Sequence, residues 1–151
     1  MEATDQTIHG SRCLVVGCGR IGKLLASRLR ALGGVVSISA RKYGDLAWCE
    51  ACGCQSLRTE GLAGKLGAFD LIFNTVPTLI LDAGLLQETG EDCVLLELAS
   101  APGGIDLAAA EAVGRRVICA PGLPGKVAPR SAAAAIRDSV YHILEERGEP
   151  I

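Results

Sequence analysis

The sequence predicts an α/β fold, a doubly wound parallel sheet of about six strands in a single domain. Two observations carry that prediction. Short apolar runs alternate with stretches of helical periodicity along the chain, an order that builds β–α–β units rather than hairpins. The first such run, residues 13–16, leads directly into Gly17-Cys18-Gly19-Arg20-Ile21-Gly22, and residues 23–32 continue at helical spacing. Glycines in this order between a strand and a helix mark a sheet of the Rossmann type, with strands arranged 3-2-1-4-5-6.

Each element follows from its own stretch. Residues 1–10 are polar and unpatterned, an arm leading into a domain of residues 11–151. The first strand ends at Val16, and the first helix spans about residues 20–32 before Gly33-Gly34 supplies a left-handed cap. Residues 35–39 read as the second strand, 46–52 as a short helix stopped near Gly53, and 55–57 as a brief third strand. A short helix beginning at Thr59 or Glu60 carries Leu62 and Leu66. Residues 69–73 are the fourth strand, 81–87 a helix, and 93–98 the fifth strand. Residues 106–113 are alanine-rich and helical up to Gly114, and 117–119 form the sixth strand. The loop Pro121-Gly122-Leu123-Pro124-Gly125 precedes a last helix that begins at Pro129 or Ser131. That helix places Ile136, Val140, Ile143 and Leu144 at helical spacing and ends at Gly148.

Composition narrows the function. With 151 residues, of which 49% are hydrophobic, the chain can bury a sizeable core. A net charge of −2 gives no electrostatic case for nucleic acid, and 3% aromatic content leaves few platforms for stacking bases. No apolar run is long enough to span a bilayer, and the N-terminus lacks the form of a signal peptide, so a cytoplasmic protein is expected. Seven cysteines fit a reducing compartment better than a disulfide framework, since Cys13, Cys93 and Cys119 lie in apolar runs as small hydrophobes. Cys49, Cys52 and Cys54 have a spacing that could hold a metal. A closed zinc site needs four ligands and no histidine is near, so no metal is expected.

The glycine turn carries the chemistry. Its first glycine permits a tight turn, its second lets a pyrophosphate approach the backbone, and its third lets the helix lie close to the strand. The helix N-terminus adds free N–H groups and a positive dipole end. Gly17, Gly19, Arg20, Ile21 and Gly22 are therefore the candidate pyrophosphate cradle. Nucleotide choice is read at the end of the second strand, where NAD-selective folds place a carboxylate on the ribose 2′-hydroxyl. Here Ser39-Ala40-Arg41-Lys42 has none, and the planar fork of Arg41 suits a 2′-phosphate, with Ser39 and Lys42 beside it. The expected cofactor is NADP. Residues 74–77, 99–104 and 121–125 also follow apolar strands and so converge on the same crevice. Proton-transfer groups are scarce there. His9 and His142 lie elsewhere, and Glu97, Asp106, Lys126 and Arg130 are expected in solvated or structural roles, so no catalytic residue is assigned.

Several segments together resemble one family. They are Thr7-Ile8-His9-Gly10-Ser11, the glycine turn, Ala40-Arg41, Asn74-Thr75-Val76-Pro77, Leu98-Ala99-Ser100-Ala101-Pro102-Gly103-Gly104 and residues 120–129 around Pro121-Gly122-Leu123-Pro124-Gly125. In this register the chain resembles the A subunits of dipicolinate synthase from endospore-forming bacteria, over the C-terminal half of such a protein. Ala101 stands where the family pattern leads one to expect a basic residue. The resemblance implies an NADP-dependent oxidoreductase component that acts with a flavoprotein-like B subunit. Together they would oxidise dihydrodipicolinate to dipicolinate in sporulation, and this chain by itself is expected to be inactive. Within that picture Asn74, Thr75, Val76 and Pro77, with Ala99 and Ser100, line the nicotinamide ribose. The loop 121–125 closes over the nicotinamide or meets a partner. A nucleotide-binding regulatory or assembly module without catalysis is the alternative. The sequence leaves open whether the chain self-associates.

Overall fold

The computed structural model describes residues 7–148, so residues 1–6 of the expected arm lie outside the described residues. Six strands form one sheet: β1 (Arg12–Val16), β2 (Val35–Ala40), β3 (Gln55–Arg58), β4 (Leu71–Asn74), β5 (Val94–Glu97) and β6 (Arg116–Cys119). Their order is β3-β2-β1-β4-β5-β6, and every neighbouring pair is parallel, as the sequence predicts.

β1 reads as an unbroken apolar run because it is covered on both faces. Successive side chains of a strand point to opposite faces. Cys13 and Val15 therefore join Ile38, Phe73 and the α1 residues Ala26 and Leu29 in one core, α1 spanning Arg20–Ala31. Leu14 and Val16 join Ile72, Leu95, Leu62 and Leu66 in the other. Helix α2 (Tyr43–Ala51) adds Cys49 to the first core. Helices α3 (Ala83–Glu88) and α4 (Leu107–Ala112) add Leu86 and Ala110 to the second. The sheet is thus wound on both faces. Each fully buried Leu or Ile contributes about 1.5–3 kcal/mol relative to exposure.

Helix ends follow local chemistry. Beyond α1, Gly33 takes φ +84°, its N–H donates to the Arg30 carbonyl at 2.8 Å, and the Gly34 N–H donates to the Leu29 carbonyl at 2.9 Å. That is the paired bonding of a Schellman cap. The Asp82 and Asp106 carboxylates accept from the Leu85 and Ala109 N–H groups, each at 3.0 Å, and start α3 and α4.

Some expectations shift. The helix expected from residue 59 is two 3-10 turns, Thr59–Gly61 and Leu66–Ala68, because Gly61, Gly64 and Gly67 interrupt the run. Leu62 and Leu66 are buried all the same. α2 begins at Tyr43, earlier than the apolar periodicity indicates. Leu81 is not helical; it makes an isolated parallel bridge with Ile105 ahead of the Asp82 cap.

The chain divides into two compact units, with the boundary after Pro121. The first holds the sheet and both cores. The second contains α5 (Leu123–Val127) and α6 (Pro129–Arg147), which ends at Gly148 with φ +68°. The expected loop at 121–125 thus becomes helical from Leu123, with Pro124 in the first turn, where its missing N–H costs nothing. Among the described residues, no helix is long and apolar enough to cross a membrane.

Candidate functional site

A crevice of about 630 Å³ opens at the carboxyl ends of β1, β2 and β4. The turn after β1 contributes Gly17, Cys18, Gly19, Arg20 and Ile21, and the end of β2 contributes Ser39, Ala40, Arg41 and Lys42. Thr75, Val76 and Pro77 form the wall after β4. Most of the residues expected from sequence are therefore brought together in one place.

The three glycines have different physical reasons. Gly17 has φ +103°, and a Cβ there would lie 2.6 Å from Val76 Cγ2 and 2.7 Å from Thr75 Oγ1. A Cβ on Gly22 would collide with the Gly17 carbonyl, so Gly22 does not line the crevice but lets α1 sit against the turn. Gly19 has ordinary φ −80°, and nothing lies within 4 Å of where its Cβ would be. Its lack of a side chain keeps open space over the backbone rather than relieving an internal clash. Gly19 is also the N-cap of α1, without a side-chain cap bond and with no acidic residue in the first turn. The N–H groups of a first helical turn have no acceptor within the helix, and they face the site with the positive dipole end.

The rim after β2 is cationic and exposed. Among the described residues Arg41 and Lys42 form no ion pair, whereas Lys23 pairs with Asp45 at 3.3 Å and lies 4.9 Å over the Trp48 ring. Ser39 is buried, and its Oγ has no hydrogen-bond partner, although the residue lines the crevice. A buried hydroxyl without a partner is rare in native structures. Beyond β3, Arg58 pairs with Glu60 at 3.1 Å and lies 4.9 Å over the Tyr43 ring. The Glu60 carboxyl is held below its usual range by its own backbone N–H first, then by Arg58 and Arg41.

Asn74, Ala99 and Ser100 do not line the crevice. Asn74 is fully buried beneath it: its Nδ2 donates to the Val76 carbonyl at 2.9 Å and its Oδ1 accepts from the Val76 N–H at 3.2 Å. Sequence reasoning missed Cys18, Ala40, Asp45, Thr59 and Ile80 as lining residues. Cys18 was legible from its place between two glycines. Its Sγ lies 3.7 Å from Cys49 Sγ, and burial pushes both thiols up, Cys49 to about 12. Asp45 is the one carboxylate in the lining, and it is occupied by Lys23. The arrangement can hold an elongated anionic ligand, with N–H donors at one point and cations at another. Among the described residues, no group of three or more histidine, cysteine or acidic side chains is arranged to hold a metal ion.

No protein-family profile matches the chain. It is 37% identical over 146 residues to the A subunit of dipicolinate synthase of Bacillus subtilis, a match that covers 97% of this chain and 49% of that protein. The crystal structure of the B. subtilis A subunit superposes with a TM-score of 0.90 at 38% identity, covering 95% of this chain and 48% of that one. The corresponding A subunit from Bacillus halodurans gives 0.89 at 37% identity, covering 93% and 49%. A transhydrogenase from Sinorhizobium meliloti shares the fold, with a TM-score of 0.80 at 18% identity over 97% of this chain and 50% of that one. The chain spans about half the length of the curated relative it matches.

Proposed function

Since the chain belongs to the family of dipicolinate synthase A subunits, we propose that it is the NADP(H)-binding half of such a protein. It acts with a B subunit in the oxidation of dihydrodipicolinate to dipicolinate during sporulation. The protein works in the cytoplasm, in keeping with seven free thiols. Residues 11–151 are then one dinucleotide-binding domain behind the arm of residues 1–10.

One observation carries the choice of nucleotide. At the end of β2 the exposed cations Arg41 and Lys42, which form no ion pair among the described residues, stand on the rim of the crevice, with Ser39 buried beside them. A 2′-phosphate supplies acceptors for both cations, and the neutral 2′-hydroxyl of NAD leaves them unmatched. The open space over Gly19 and the first-turn N–H groups of α1 suit the pyrophosphate. Thr75, Val76 and Pro77, held from beneath by Asn74, take the nicotinamide ribose. The bound nicotinamide supplies the hydride chemistry. This chain's own residues bind and orient it, and the proton-transfer groups come from the rest of the assembly.

Calorimetric titration with NADPH and with NADH is the test. NADPH is expected to bind about tenfold or more tightly than NADH, the worth of one or two charge-assisted contacts. Equal affinities would remove the NADP assignment. Binding of neither would leave an assembly module and overturn the whole reading.

A further inference from the structure

We propose that Glu97 is a positioning residue for the nicotinamide end of the site, acting through Asn74 on the wall formed by Thr75, Val76 and Pro77. The inference rests on the dinucleotide reading above. It concerns a buried carboxylate that this reading leaves without a role.

Glu97 is the last residue of β5 and stands in register with Asn74, the last residue of β4. It is 6% exposed, and no ion pair to it is found among the described residues. Four N–H donors converge on it instead. Oε1 accepts from Asn74 Nδ2 at 2.7 Å and from the Ala99 N–H at 2.9 Å. Oε2 accepts from the Gly104 N–H at 2.8 Å and from the Ile105 N–H at 3.0 Å. A carboxylate is an acceptor at both oxygens, so it alone among side chains of this shape satisfies all four donors. The segment after β5 is thereby wrapped around the carboxylate.

Asn74 carries the arrangement across to the crevice. Its amide spends one N–H on Glu97, and it brackets Val76 with its other N–H and its oxygen. Gly104 locks the same segment, because a Cβ there would lie 2.6 Å from both Asn74 Nδ2 and the Val76 carbonyl. Its own carbonyl accepts from the Ile80 and Leu81 N–H groups, each at 2.9 Å. Val76 in turn lies against the space beside Gly17, where a Cβ would be 2.6 Å from Val76 Cγ2. An unbroken chain of contacts thus runs from the carboxylate to the wall of the crevice. Among the described residues Glu97, Asn74 and Gly104 form no hydrogen bond to the Ser39–Lys42 rim; only Gly17, beyond that wall, reaches it, its N–H donating to the Ser39 carbonyl at 3.0 Å. Glu97 therefore acts directly on the part of the crevice that receives the nicotinamide ribose, and on the adenosine 2′-phosphate part only at one remove, through Gly17.

The test separates those two parts. Wild type, Glu97→Gln, Asn74→Ala and the double variant are titrated with NADPH and with adenosine 2′,5′-bisphosphate, which lacks the nicotinamide nucleotide. Glutamine keeps the shape but turns an acceptor into a donor facing two N–H groups. Glu97→Gln is expected to weaken NADPH by about tenfold or more. Its affinity for the bisphosphate should stay within about twofold of wild type. The double variant should be no worse than the weaker single one, since both cut the same chain. Should Glu97→Gln fail to fold, Asn74→Ala carries the same comparison, because it leaves three backbone donors on Glu97. Equal loss for both ligands would make the network a general scaffold and overturn the proposal. So would unchanged NADPH affinity in folded Glu97→Gln, or additive losses in the double variant. Wild type that binds neither ligand refutes the dinucleotide reading itself, a different result from any of these.

Discussion

The guanidinium of Arg41 can meet a phosphate with two parallel N–H groups, a geometry the ammonium of Lys42 cannot reproduce. Arg41→Ala is therefore expected to weaken NADPH binding by about ten- to a hundredfold while NADH changes little. Lys42→Ala should cost less, since an exposed point charge is readily screened. Paired titrations of both nucleotides on each variant check this, and equal loss for NADPH and NADH would refute the assignment. Arg41 was legible in the sequence because it sits at a fixed offset from a strand that follows the glycine turn. Thr59 and Ile80 were not. They reach the crevice only because β3 lies in parallel register with β2, with Leu57 opposite Ser39, and because the segment after β4 is tied to Gly104. No local pattern encodes such a meeting.

At the scale of elements, the turn between β1 and α1 separates two uses of glycine that look identical in sequence. Gly22→Ala drives a methyl group into the Gly17 carbonyl, and overpacking of this kind costs about 1–3 kcal/mol. Its melting temperature and its nucleotide affinity should both fall. Gly19→Ala meets open space at an ordinary φ, so its melting temperature should hardly move while nucleotide affinity drops. Thermal melts run beside titrations distinguish the two, and a large melting shift in Gly19→Ala would contradict the account. The elements themselves were mostly legible, because a parallel sheet covered on both faces leaves continuous apolar strands. Legibility failed where glycine competes with periodicity. Leu62 and Leu66 are spaced as on a helix, yet Gly61, Gly64 and Gly67 make two isolated 3-10 turns cheaper. The reverse error came at Leu123, where a proline–glycine run reads as a loop although proline is at ease in a first helical turn.

Across the whole molecule, burial of neutral thiols couples stability to alkaline pH. Burial pushes Cys13 up to about 11, and Cys49 and Cys93 up to about 12, from an ordinary value of 9.0. In the unfolded chain these groups ionise near the ordinary value, so above it the unfolded state binds fewer protons than the native one. Stability is fully present below about pH 9 and declines as pH rises towards 11–12, by on the order of 1.4 kcal/mol per pH unit for each thiol that ionises on unfolding. Denaturant midpoints measured at intervals from pH 8 upward should fall progressively, and Cys93→Ala should flatten the decline. A midpoint independent of pH across that range would refute the coupling.

The position of β1 has a consequence for how the sheet is made. Of the six strands β1 leaves the ribosome first, but it sits at the centre of the sheet, and its second neighbour β4 pairs Leu71 with Cys13 only after β2, α2 and β3 have been synthesised. Until then a nascent chain can zip β1 to β2 and β3 while one long edge of β1, the most apolar strand, stays bare. Such an edge is a template for pairing with another chain. Non-local parallel pairing is also slow to form, so the vulnerable interval is extended. A truncated product ending near Asp70 should therefore aggregate rather than remain a soluble half-sheet, and arrival of β4 is the event that closes the risk.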